Sequence, residues 1–172
     1  MLDKKIEKAL NDQVNMEFSA AYHYLAMGAY FEHANLTGFA SWMFTQRGEE
    51  LTHAMKLFHY VHARGGKVEL EAVAKPPSAF KTPRDAFLKA YGLEKANTAA
   101  IYKLYTLATE QGDYATQSHL KWFLDEQVEE EHLFDEAKSL FDIAADEPSA
   151  LLILDEKFGR RATMGGPPGK PA

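Results

Sequence analysis

A polar pattern that repeats 77 residues apart constrains the fold of this chain more than any other feature. The pairs with this offset are Glu17 and Glu94, Glu50 and Gln127, and His53 and Glu130. Within each half, 33 residues separate the first two members, and the third follows three positions later. Residues three apart lie on one face of an α-helix. The pattern therefore predicts a duplicated helical hairpin that turns two sets of metal-capable groups toward one place.

Four long stretches carry apolar residues at steps of three and four, with few Gly or Pro interruptions, as amphipathic helices do. We expect helices over about 3–33, 37–64, 83–111 and 113–143. Two of the connections are short and make antiparallel neighbours, whereas residues 65–82, rich in Gly and Pro, form a long crossover. The predicted fold class is all-α, a four-helix bundle of two antiparallel hairpins joined by that crossover.

A short apolar segment after Pro148 predicts a fifth, C-terminal helix that ends at Gly159. Because this helix is too short and too apolar to be solvated alone, we expect it to pack against another subunit. Packing on its own bundle is the alternative. The domain is predicted to cover residues 1–160, and residues 161–172 a flexible tail.

Composition excludes several classes of protein. The chain has 172 residues, enough for one domain, and it contains no Cys for a disulfide, a thiolate metal site or a cysteine nucleophile. This absence fits a reducing, cytoplasmic location. The charged N-terminus does not read as an export signal, and no segment is apolar enough to suggest a membrane span. The net charge of −6 argues against nucleic acid and favours cations.

The repeated residues lie on the apolar stripes of their helices. The flanking residues are Met43 and Leu57 in the second helix, and Phe123 and Phe134 in the fourth. Four glutamates, Glu17, Glu50, Glu94 and Glu130, therefore converge on the bundle interior, where an unpaired charge costs on the order of several kcal/mol. Two divalent cations would neutralise them, so the stripes predict a metal centre.

Other acidic and histidine residues near the repeated positions carry weaker predictions of metal binding. A lone Glu-x-x-His is more often a solvated pair, and we assign that role to Glu129 and His132, because His132 lies about 200° from Glu130 around the helix. Glu49, Glu126 and Glu129 are candidates for an outer metal site, although a solvated acidic face explains their spacing equally well.

Together these residues resemble those of bacterial non-haem ferritins over most of the chain. The resemblance implies a ferritin-like di-iron domain in which Glu17, Glu50 and His53 hold one iron and Glu94 and Glu130 the other. It makes Glu50 the bridge, with further residues around the two irons. These are Gln127 and Tyr24 beside them, Trp122 as a nearby aromatic, and Glu49, Glu126, Glu129 and Glu130 around a third iron.

The resemblance also implies an activity, ferroxidase oxidation of Fe(II) with O2 or H2O2, and storage of the ferric mineral in a hollow homo-oligomer of 24 subunits. Haem-containing relatives carry His at position 130 and Met at position 51, whereas this chain has Glu130 and Leu51, so we expect no haem. Two alternatives stay open. One is a di-iron peroxidase or oxidase without storage, and the other a purely structural helical interaction protein.

Overall fold

The computed structural model describes residues 2–145 and 147–163, which fold into a four-helix bundle with a fifth helix. The helices are α1 (Lys4–His33), α2 (Thr37–Ala63), α3 (Pro83–Glu110), α4 (Tyr114–Ala144) and α5 (Pro148–Thr163). α1 pairs with α2, α3 pairs with α4, and α1 also packs on α3. The predicted all-α bundle of two hairpins is confirmed. Most of the predicted tail, residues 164–172, lies outside the described residues.

The first three helices end in the same way, which makes their boundaries predictable. A residue with positive φ follows each of them: Asn35 at 57°, Gly65 at 72° and Gly112 at 65°. The next N–H then bonds to a carbonyl five residues back, as in Leu36 to Phe31 at 3.0 Å. Glycine and asparagine tolerate this left-handed conformation, so helices stop there. None of the helices in the described part of the chain is long and apolar enough to span a membrane.

The first part of the crossover, residues 67–71, is held against α1 by a row of side chains spaced one helical turn apart. Glu7 accepts a hydrogen bond from the Lys67 N–H at 2.8 Å. Asn11 donates to the Lys67 carbonyl at 2.9 Å and accepts from the Glu69 N–H at 2.7 Å. Asn15 bonds to the backbone of residues 69 and 71 in the same way. These bonds satisfy backbone groups of Lys67, Glu69 and Glu71, which lie outside any helix.

Two apolar clusters fill the bundle, one near each end. The cluster near α5 is aromatic; its largest members are Phe31, Phe39, Trp42, Phe87, Phe134, Phe141 and Phe158. The cluster at the opposite end is mainly aliphatic and includes Ile6, Leu10, Val14, Leu57, Val61 and Ile101. A buried polar layer separates the two. Close packing on either side holds the side chains of that layer in place.

The fifth helix packs on its own bundle, which is the alternative stated above, while its Leu152 and Ile153 stay exposed, so the expected packing against another subunit stays a prediction. Phe158 is 1% exposed and lies within the aromatic cluster. Asp155 caps α2, because its carboxylate accepts the N–H groups of Gly38 at 3.1 Å and Phe39 at 2.7 Å. Leu36, the residue at the N-cap position of α2, offers no such group.

The predicted end of this helix at Gly159 is wrong, since α5 continues to Thr163. Gly159 marks a close contact between helices rather than a helix end. A Cβ on Gly159 would lie 3.0 Å from the Cα of Gly38, and a Cβ on Gly38 would lie 1.8 Å from the carbonyl oxygen of Asp155. The two glycines therefore allow the backbones of α2 and α5 to approach.

Candidate metal centre

The predicted interior residues all lie in the polar layer between the two apolar clusters. Each of them is at most 4% exposed; they are Glu17, Tyr24, Glu50, His53, Glu94, Gln127 and Glu130. Every helix of the bundle contributes at least one of them. Four carboxylates buried together repel one another and lose hydration, which favours a bound cation.

Glu17, Glu50 and His53 form the tightest group in this layer. Each offers one ligand atom, and these atoms lie within 4.8 Å of one another. Glu50 Oε2 is 3.9 Å from His53 Nδ1 and has no hydrogen-bond partner among the described residues. Burial raises the pKa of Glu50 well above its ordinary value, and the nearby carboxylates Glu94 and Glu17 raise it further. A buried oxygen of this kind is available to a cation.

Two amides hold the carboxylate of Glu17. Gln13 Nε2 donates to Oε1 at 2.8 Å, and Asn97 Nδ2 donates to Oε2 at 2.9 Å. Both amides are buried, at 3% and 2% exposure. Neither residue belongs to the 77-residue repeat, because the equivalent positions in the other half are Ala90 and Ala20. The only sequence signal for Gln13 is its place one helical turn before Glu17.

Glu94 is held differently, by a phenol and by an amide at longer distance. The Tyr24 hydroxyl donates to Glu94 Oε1. Gln127 Nε2 donates to the Thr98 hydroxyl at 3.0 Å and to the backbone carbonyl of Glu94 at 3.3 Å, and lies 3.5 Å from Glu94 Oε2. Burial raises the pKa of Glu94 to about 7, although these hydrogen bonds act in the opposite direction. Burial also raises the pKa of Tyr24 well above its ordinary value.

Gln46 connects the inner residues with the predicted outer site. Its Nε2 lies 2.6 Å from Glu49 Oε2 and 3.3 Å from Glu130 Oε2. Glu126 is 9% exposed, while Glu129 faces solvent. The outer acidic residues thus extend from the buried layer toward the surface, and their role as a third metal site stays a prediction.

Aromatic residues enclose the imidazole end of the centre. The rings of Trp122 and Phe123 meet His53 edge to face, with centroids 5.3 and 5.9 Å away. Lys56 Nζ lies over the ring of the half-buried Trp122, 3.9 Å from its centroid. His132 is exposed, as its helical position predicts.

The donor set is four carboxylates, one imidazole and a nearby phenol. Without thiolates, such a set suits iron or manganese better than soft metals, and it can leave coordination positions open. Cations would replace the protons that burial retains on Glu50 and Glu94, because a carboxylate binds metal in its ionised form.

Comparison with known proteins agrees with this geometry. The sequence model of the ferritin-like domain family matches residues 7–142. The chain belongs to the ferritin family. It is 38% identical to the bacterial non-heme ferritin of Staphylococcus aureus over 161 residues, covering 94% of this chain and 97% of the relative. The corresponding protein of Staphylococcus haemolyticus is 36% identical over 162 residues, covering 94% of this chain and 98% of its own length.

Solved ferritin structures share the whole fold. The open pore ferritin of the hyperthermophilic archaeon Archaeoglobus fulgidus superposes with a TM-score of 0.92 at 40% identity, covering 94% of this chain and 99% of that one. An engineered closed form of the same ferritin gives a TM-score of 0.91, also at 40% identity, covering 94% of this chain and 98% of that one. The similarity therefore includes α5 as well as the four-helix bundle.

Proposed function

We propose that this protein is an iron-storage ferritin whose bundle binds two Fe(II) ions and oxidises them with O2. The observation that carries the proposal is the buried group of Glu17, Glu50 and His53, whose ligand atoms lie within 4.8 Å of one another. Glu94 and Glu130 lie close enough to act on the charge of Glu50. Membership of the ferritin family supports the same function.

In this proposal the two Fe(II) ions are substrates held by unequal sets of side chains. Glu17 and His53 bind one ion, Glu94 and Glu130 bind the other, and Glu50 lies between them. Gln127 and Tyr24 orient Glu94 through the hydrogen bonds described above. Binding displaces protons from the carboxyl groups with raised pKa, and the aromatic walls limit access of water.

The redox chemistry balances with two ions in the centre. Each Fe(II) gives up one electron, so the pair reduces one O2 with two protons to H2O2, which can itself serve as oxidant for further Fe(II). Fe(III) then leaves, with Glu49, Glu126 and Glu129 as the candidate outer site. Hydrolysed Fe(III) collects as mineral inside a shell, for which we propose 24 copies of the chain.

The proposed cytoplasmic location and the proposed absence of haem stay predictions.

The experiment that tests this function is an anaerobic Fe(II) titration of the apo-protein followed by O2, with particle size measured by light scattering. We expect uptake of two Fe(II) per chain, oxidation on adding O2, and continued uptake into a large shell. A small particle that stops at two irons would indicate a di-iron oxidase or peroxidase without storage. No uptake would leave a structural helical protein, and uptake unchanged in a Glu50→Ala, His53→Ala double variant would remove the di-iron claim itself.

A further inference from the structure

The carboxylate of Glu17 belongs to a closed ring of hydrogen bonds. Gln13 Nε2 donates to Glu17 Oε1 at 2.8 Å and also to Asn97 Oδ1 at 2.5 Å. Asn97 Nδ2 completes the ring by donating to Glu17 Oε2 at 2.9 Å. The three side chains come from α1 and α3, so the ring also joins the two hairpins.

This ring fixes the orientation of Glu17 without using up its capacity to bind metal. A carboxylate has about four lone-pair positions, and the two amides occupy one on each oxygen. One position on each oxygen is left for a cation. Because both oxygens are held, the carboxylate cannot rotate, and less side-chain freedom is lost when an ion binds.

We propose that Gln13 and Asn97 are positioning residues that fix Glu17 and thereby set the Fe(II) affinity of the half of the centre containing His53. This inference rests on the proposed function. Among the described residues, both amides donate to Glu17, one to each carboxylate oxygen. Their effect is therefore confined to one of the two ions. Glu94 depends on Tyr24 and Gln127 instead.

Two substitutions of similar volume remove the donors, Asn97→Leu and Gln13→Met. The experiment is an anaerobic Fe(II) titration of each full-length variant by calorimetry, with the two equivalents per chain fitted separately. We expect one equivalent to weaken about 10- to 100-fold, the range typical of residues that support a metal ligand. The other equivalent stays within about 2-fold of the wild type, since its ligands keep their partners. In the double variant the losses are smaller than additive, because both amides act on one carboxylate.

A matched control is Asn11→Leu. Asn11 is also a buried amide of α1, but its hydrogen bonds hold the crossover at Lys67 and Glu69 rather than a predicted ligand. This variant is expected to lower thermal stability while both Fe(II) equivalents keep their affinity. Circular dichroism and light scattering verify that all variants fold and assemble.

Three results would overturn the inference. The first is an equal loss of Fe(II) affinity at both equivalents, and the second is no loss of affinity in either single variant. The third is failure of both single variants to fold. Each of these results would assign the ring a structural role. If only one variant folds, its titration decides. A wild-type protein that binds no Fe(II) would refute the proposed function and the inference with it. If the wild type and the variants all bind two Fe(II) equivalents with the same affinities, only the inference is refuted and the proposed function stands.

Discussion

The two halves of the polar layer occupy equivalent positions in the two hairpins but hold their carboxylates by different means. Glu17 has an amide donor on each oxygen, at 2.8 and 2.9 Å. Glu94, its counterpart 77 residues later, has the Tyr24 hydroxyl on one oxygen and a 3.5 Å amide contact on the other. The repeat places the proposed ligands at equivalent positions, but the groups beside them differ, since Gln13, Asn97 and Tyr24 lie outside the repeat and Gln127 belongs to it. Because the hydrogen bonds to Glu17 and Glu94 differ, we expect the two iron sites to differ in Fe(II) affinity.

The largest effect is expected from removing the residue that both halves share. Glu50→Ala takes away the proposed bridge, so Fe(II) oxidation should slow by at least about 100-fold, beyond the usual loss from a supporting residue. Stopped-flow absorbance after mixing with O2 measures the rate. Glu131→Ala, at the residue that follows Glu130 in the sequence but is no proposed ligand, is the control and should change the rate less than about 2-fold. An unchanged rate in Glu50→Ala would remove Glu50 from the reaction.

The raised pKa of Glu94 predicts that the apo-protein loses stability as the pH rises. Burial raises this pKa from 4.5 to about 7, so between these values the folded chain retains a proton that the unfolded chain has released. The free energy of unfolding contributed by Glu94 therefore falls from about pH 4.5 to about pH 7, by an amount on the order of a few kcal/mol at about 1.4 kcal/mol per pKa unit.

Denaturant unfolding of apo wild type and Glu94→Gln, at one protein concentration across this pH window, measures that contribution. The amide does not titrate, so the gap between the two curves should widen in favour of Glu94→Gln as the pH rises. Parallel curves would show that Glu94 titrates normally in the folded protein.

A smaller effect is expected from Tyr24→Phe, which removes the hydroxyl donor to Glu94 and keeps the ring. The Fe(II) equivalent on the Glu94 side should weaken by about 10-fold, while the equivalent beside His53 changes little. This is the reverse of the pattern predicted for Asn97→Leu. Anaerobic calorimetry on both variants makes the comparison, and weakening of the same equivalent in both would contradict separate support of the two halves.

The smallest effect on iron is expected at the junction of α5 with α2. Asp155→Ala removes the cap from the helix that carries Glu50 and His53, and should cost about 1 kcal/mol of stability. Both Fe(II) equivalents should keep their affinity, because the aromatic cluster separates this end from the polar layer. Thermal unfolding and Fe(II) titration test the two parts. Loss of iron binding at unchanged stability would show direct coupling between the cap and the centre.

Local patterns made most of the fold predictable. Asn35, Gly65 and Gly112 end helices because they accept positive φ, and Thr82 followed by Pro83 begins α3 as their types require. The position of α5 was not predictable in this way. Its partner residues on α2 are more than a hundred positions away in the sequence. The composition of α5 alone does not show whether the helix packs on its own bundle or on a neighbouring subunit.

For the centre, the repeat led to the proposed ligands and to Gln127 beside Glu94, but not to the two amides that hold Glu17. Periodicity alone places Glu17, Glu50 and His53 in the interior, since each shares a stripe with apolar residues. Gln13 and Asn97 have alanine at the matching positions, so the repeat contains no trace of them. Their role depends on a contact between α1 and α3 that only the folded chain shows.

The most direct test of the central claim is anomalous diffraction at the iron edge from crystals soaked anaerobically in Fe(II). Two peaks inside each bundle are predicted, one beside Glu17 and His53 and the other beside Glu94 and Glu130. Iron found only between subunits or on the surface, with none in the polar layer, would contradict the account.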